Sequence, residues 1–207
     1  MLRTRTVALT LVAGLAFLGC QKKEEAASAG MSPDMVRAIV QGKPDQVTKL
    51  LDAGEKVDAL QNGQTPLCYA ALNNKLDIIG LLIARGANVN HATANDGTTP
   101  LMYAAKSGSL DAVKTLLAQG AKIETSDKIG ANVLHYAVMG GKKDIAEELI
   151  KRKPELLKQT TNVGLSPVIL AINMQVQPNA SKSDSDMVAF LKSVYGMGAD
   201  TLKPTVQ

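Results

Sequence analysis

Apolar positions along this chain fall into short runs with helical spacing, punctuated by glycine. In Gly97-Thr98-Thr99-Pro100-Leu101-Met102-Tyr103-Ala104-Ala105, three residues (Leu101, Ala104 and Ala105) stand three and four apart and share one helical face. Thr99 offers a capping hydroxyl, Pro100 suits the first helical position, and Gly97 can take the positive φ of a tight turn. A second run, Leu110, Val113, Leu116 and Leu117, predicts a partner helix that closes at Gly120. The alanines on the first face let a neighbouring helix approach closely.

The same phrase returns at nearly fixed intervals. Gly63-Gln64-Thr65-Pro66-Leu67-Cys68-Tyr69-Ala70-Ala71 lies thirty-four residues earlier, and Gly130-Ala131-Asn132-Val133-Leu134-His135-Tyr136-Ala137 thirty-three later. Gly164-Leu165-Ser166-Pro167-Val168-Ile169-Leu170-Ala171 follows after another thirty-four. The shared letters and the spacing resemble ankyrin repeats, whose period is about 33 and whose signature is T-P-L-H-x-A. The resemblance covers residues 31–202. It implies an all-α solenoid of about five helix-turn-helix units joined by β-hairpin-like loops, at 31–60, 61–93, 94–127, 128–160 and 161–202, with a tail at 203–207.

The units are not identical. The first opens at Ser32-Pro33-Asp34 and lacks the phrase, as a terminal capping repeat does. Its helices are predicted from Met35, Val36, Ile39 and Val40, ending at Gly42, and from Val47, Leu50 and Leu51 after Pro44. The second has helices near 66–73 and 76–84, with Asn74 standing where the third has Gly108; both residues tolerate left-handed backbone. In the fourth, Asn132-Val133 replaces Thr-Pro and Lys153-Pro154 ends the second helix, with Pro154-Glu155-Leu156-Leu157 in the following loop. In the fifth, a helix over 167–174 precedes a polar loop over 175–184, and Met187, Val188, Leu191 and Val194 predict a last helix ending at Gly196 or Gly198.

The first residues break from this pattern. A short basic start with Arg3 and Arg5 precedes an apolar run from Val7 to Leu18, about 18 Å as a helix and short of the roughly 20 residues a bilayer crossing needs. That reads as an export signal over 1–19. Phe17-Leu18-Gly19-Cys20 resembles the lipobox of bacterial lipoproteins, although Phe17 replaces the usual Leu. The resemblance implies cleavage before Cys20, lipid on its new terminus, and, with Gln21 following, sorting to the outer membrane. The other small-x-small cut, Ala27-Ser28-Ala29, lies far beyond the apolar run. Residues 20–30, polar and rich in Ala, Glu, Lys and Ser, form a flexible tether.

That cut alters the charge and cysteine accounts. The chain has 23 Lys and Arg against 19 Asp and Glu; without Arg3 and Arg5 the balance is 21 against 19, or +2. So small an excess argues against a nucleic-acid partner, which calls for a concentrated basic face. With Cys20 lipidated, Cys68 is the remaining thiol and cannot form an internal disulfide. Lys142-Lys143 and Lys151-Arg152-Lys153 make the fourth unit locally basic. A solvated helix face is the ordinary reading of such a run, an acidic partner or lipid headgroups the other.

No Walker loop, nucleophile elbow or paired-ligand motif occurs, so neither catalysis nor a metal or other cofactor is expected. His135 stands at the H of the ankyrin phrase and is expected to bond locally to the turn. His91 lacks a partner at metal spacing. Cys68 shares the register of His135 and Met102 and has no basic neighbour that would activate it.

The candidate binding surface comes from register. Tyr69, Tyr103 and Tyr136 occupy one repeat position, with Leu170 there in the fifth unit. The resemblance places this position on the first helix, facing a concave groove. One reading makes the three phenols binding anchors; the other makes them filler whose tips reach water. Leu72, Lys106, Met139 and Asn173 lie three residues further on, near the same face. The hairpin tips add Gln61, Asn62 and Gln64, then Asn95, Asp96 and Thr98, then Asp127, Lys128 and Ile129.

The expected function is a non-enzymatic protein-interaction module, monomeric and lipid-anchored through Cys20 at the periplasmic face of the outer membrane. It would bind a periplasmic or envelope protein through the concave face and hairpin tips. Alternatives are an immunity lipoprotein that neutralises a toxin effector, or an envelope enzyme or peptidoglycan-binding protein.

Overall fold

The computed structural model describes residues 30–176 and 181–196, with the side chain of Tyr195 excepted. The expected signal segment, Cys20, most of the tether and the tail lie outside the described residues. Ten α-helices form five consecutive pairs among the described residues: α1 (Pro33–Gln41) with α2 (Pro44–Asp52), α3 (Pro66–Leu72) with α4 (Leu76–Ala84), and α5 (Pro100–Ser107) with α6 (Leu110–Ala118). The others are α7 (Val133–Met139) with α8 (Lys143–Arg152), and α9 (Pro167–Gln175) with α10 (Lys182–Tyr195).

The first helix of each pair starts the same way. The side chains of Ser32, Thr65, Thr99, Asn132 and Ser166 each accept from a backbone N–H of the first turn. Proline follows the cap in four of the five, where it loses no hydrogen bond. Each cap contributes about 1 kcal/mol, which matters for helices of two to three turns that would not persist alone. Asn132 replaces Thr-Pro by bonding two amides, those of Leu134 and His135, while Nδ1 of His135 accepts from its own N–H at 3.2 Å.

Helices pack in two layers. The first helices stack on one another along the series α1, α3, α5, α7, α9, and the second helices along α2, α4, α6, α8, α10. Between the layers lies one continuous apolar core. Ile39, Leu67, Ile79, Leu82, Leu101, Leu116, Leu134 and Leu149 are fully buried in it. Small residues set the spacing: Ala70, Ala71, Ala104, Ala105 and Ala137 have no exposed surface at all. Gly140, at the end of α7, shows how close the first helices come, since a Cβ there would sit 2.3 Å from the carbonyl oxygen of Lys106.

The hairpins stack as well. The N–H of Lys128 donates to the carbonyl of Asp96, and that of Asn162 to the carbonyl of Ile129, both at 2.8 Å. They remain bridges and turns rather than strands: Gln61 pairs with Gln64 and Ser126 with Asn132. Gly97 (φ 78°) makes the tight turn that brings Asp96 to Lys128.

Three details differ from the sequence reading. Residues 154–157 are a 3₁₀ turn that buries Leu156 and Leu157, not a free loop. The last helix begins at Lys182, inside the expected loop, because Ser181 and Asp184 close a capping box. Leu110 and Leu117, expected in the core, are half-buried, and Val40 and Val194 are exposed.

Candidate functional site

The tyrosine register is a single row on α3, α5 and α7, but its polar tips are turned to the protein's own hairpins. Tyr103 is 9% exposed and Tyr136 8%. The Tyr103 hydroxyl accepts from Nε2 of Gln64 at 2.7 Å. The Tyr136 hydroxyl donates to Oδ2 of Asp127 at 2.8 Å and lies 2.9 Å from Oγ1 of Thr98, which donates to it. Gln64 and Thr98 occupy one repeat position, directly after the hairpin glycine. Each tyrosine therefore ties its helix to the hairpin of the preceding unit. Burial pushes the Tyr136 phenol far above its ordinary value; the Thr98 bond opposes this and the bond to Asp127 adds to it. Neither the open anchor nor the water-facing tip describes Tyr103 and Tyr136. Tyr69, whose preceding unit lacks the phrase, is half-buried.

Hairpin residues divide in the same way. Asp96 accepts from the hydroxyl of Thr93 and from the N–H of Thr98. Burial alone would raise its carboxyl, but these donors outweigh it and hold the group below its ordinary value. Thr98 is buried, whereas Asn62 and Lys128 are exposed. Lys128 donates through Nζ to the carbonyl of Ala94.

The row three residues beyond the tyrosines is the open one. Leu72, Lys106 and Met139 are all exposed, at the ends of three adjacent helices, and Asn173 is half-buried. The tips Ile129 and Val163 are 62% and 79% exposed. Between the fourth and fifth units a cavity of about 240 Å³ opens to solvent, lined by Ala131, Met139, Leu165 and Leu170 with Ile129 and Val163. The sequence pattern did not single out Ala131, Val163 and Leu165. The signal was available in the position after the hairpin glycine, which reads Gln64, Thr98, Ala131, Leu165 through the series.

His135 is buried in a local role. Its Nε2–H donates to the carbonyl of Leu165 at 3.0 Å while Nδ1 accepts from Asn132. Burial pushes the imidazole below its ordinary value. Cys68 is buried beneath the Thr65 hydroxyl, and burial raises its thiol. Among the described residues no three His, Cys, Asp or Glu gather as a metal site, and no helix is long and apolar enough to cross a membrane.

A stack of capped helix pairs, with a shared scaffold and side chains that vary on one open face, defines a solenoid repeat of the protein-interaction class. Residues 26–127 match the family model described as ankyrin repeats (3 copies). The chain carries ankyrin repeats, and its fold is an all-α ankyrin-repeat solenoid. It is also similar, with 40% identity over 55 residues, to the B-cell lymphoma 3 protein homolog of Mus musculus. That alignment takes in 26% of this chain and 12% of the mouse protein, so the chain spans about an eighth of that relative.

Proposed function

We propose that the chain is a non-enzymatic binding module that grips a protein of the bacterial envelope. The observation that carries this reading is the open row of Leu72, Lys106 and Met139, set on adjacent helices whose remaining residues are committed to the core. These three residue types differ from unit to unit while the caps and core alanines repeat. Such variation on a constant frame suits recognition of one particular surface.

The reading extends to placement. The lipobox-like Phe17-Leu18-Gly19-Cys20 supports a diacylated Cys20, and Gln21 supports the periplasmic face of the outer membrane. Two or more acyl chains hold a protein stably, since about 0.8 kcal/mol accrues per buried CH₂. The polar tether up to residue 30 then spaces the repeats from the lipid.

The test is capture in cells of the anchored protein carrying Lys106→Glu and Met139→Asp. The pair loses its envelope partner with helical content unchanged; undiminished capture contradicts the assigned face. Separately, Cys20→Ala moves the protein from the membrane fraction to the soluble one, and its retention in the membrane contradicts the anchor.

A further inference from the structure

One sulfur among the described residues is open to solvent, and the others are covered. Met31, Met35, Met102 and Met187 are at most 5% exposed, and the half-buried Met174 packs against the core. Met139 is the one exposed methionine among the described residues, at 37%. A thiol is ordinarily quicker to oxidise than a thioether. Cys68, however, is buried with its thiol raised, so its reactive thiolate is scarce and out of reach.

We propose that Met139 is a modification site: a peroxide oxidises its thioether to the sulfoxide, and the added oxygen closes the open row to its protein partner. The proposal rests on the protein-binding reading above and names a control on that same face. The step transfers one oxygen atom. A lone pair of Sδ attacks a peroxide oxygen, and the S–O bond forms as the O–O bond breaks. The second oxygen takes the proton from the first and leaves as water. Sulfur loses two electrons and the peroxide gains them. A sulfoxide reductase reverses the change: a dithiol supplies two electrons, becomes a disulfide, and the oxygen leaves as water.

The surroundings make this oxygen costly to binding and harmless to the fold. Met139 lines the cavity between the fourth and fifth units with Ile129 and Leu170, and no polar atom of the lining reaches the cavity surface. Where the earlier junction pairs Thr98 with Tyr136, this one has Ala131 and Leu170, which carry no hydroxyl. The ring nitrogens of His135 are taken by Leu165 and Asn132. An oxygen turned into the cavity therefore finds no donor. One turned outward stays hydrated, and a partner pressed over it strips that water without replacing the bond. The helix itself is held elsewhere: Val133 to Val138 are buried, and Gly140 lies against the Lys106 carbonyl. Sulfoxidation of the exposed side chain leaves those contacts in place.

The test uses the full chain and dilute hydrogen peroxide, with each sulfur followed by peptide mass spectrometry. Met139 gains oxygen at least tenfold faster than Met31, Met35, Met102 and Met187, with Cys68 still reduced and circular dichroism unchanged. In urea the methionine rates converge. Equal rates in the folded chain, or earlier oxidation of Cys68, overturn the site. The control is read in isolated envelopes, through the adduct formed by a photoreactive residue at Leu72 on the same row. Peroxide removes that adduct in step with Met139 sulfoxide, also in the variant Met174→Leu/Met197→Leu, and sulfoxide reductase with dithiothreitol restores it. An adduct that persists once Met139 is fully oxidised overturns the control. If the Lys106→Glu/Met139→Asp pair loses its partner while Met139 oxidises no faster than the buried methionines, this inference fails and the binding face stands. If that pair captures undiminished while Met139 oxidises first, the binding reading fails and takes the control with it.

Discussion

The hydroxyl of Tyr136 donates to Asp127 at 2.8 Å and accepts from Thr98 at 2.9 Å, so one phenol joins a helix to two hairpins. Because each unit of a solenoid contacts only its neighbours, such links carry much of the cooperativity between units. Removing the hydroxyl takes this donor from Oδ2 of the half-buried Asp127 and this acceptor from the hydroxyl of the buried Thr98. Tyr136→Phe therefore lowers stability by about 1–3 kcal/mol in denaturant melts. Tyr103→Phe, which loses one neutral bond, costs about 0.5–1.5 kcal/mol. Equal and negligible losses would contradict the linking role.

His135 gives the fold a dependence on acid. Its imidazole is depressed in the folded state by burial, while the unfolded chain has the ordinary value of 6.5. The unfolded state thus binds the proton more readily, and stability increases with pH in the window below that value. The contribution is complete above about pH 6.5 and is lost as the pH falls toward the folded value. Melting temperature measured from pH 8 to pH 5 declines across this range, and His135→Gln flattens the decline.

Much of this architecture was legible in the letters. Thr65, Thr99 and Ser166 cap where their position before Pro predicts, and Asn74 takes positive φ (53°) where the third unit uses Gly108. Recurrence made these positions readable, since a local rule satisfied at one spacing in several units does not arise by chance of composition. The site was less legible. The tyrosines could be assigned to one register, but nothing in the letters says that the hairpin of the preceding unit reaches the phenols. That contact is set by how units stack, not by anything within one unit. The cavity followed from two positions, 131 and 170, that are thirty-nine apart in the chain and meaningful only as a pair.

Cys68 tests the tightness of that stacking. The thiol is fully buried on α3, takes a hydrogen bond from Thr65, and is raised by its burial. A thiol reagent reaches it only through local opening, so labelling is slowed on the order of 10²-fold or more against the unfolded chain. Labelling at the unfolded rate would mean that the second unit opens freely.

Gly140 tests the close approach of α5 and α7. Its φ of −83° is open to any residue, so space alone is the constraint. A methyl group would meet the Lys106 carbonyl at 2.3 Å, backbone against side chain, with no flexible group to yield. Gly140→Ala is expected to cost about 1–3 kcal/mol in chemical unfolding. An unchanged midpoint would show that the helices separate at little cost.

The binding face itself is tested most directly by photo-crosslinking in intact cells. A photoreactive residue is placed at Met139 on the open row, or at Lys114 on the opposite layer; both positions are exposed. A single envelope protein joined from position 139 and absent from position 114 is the predicted result. The same adduct from position 114, with none from position 139, would contradict the account.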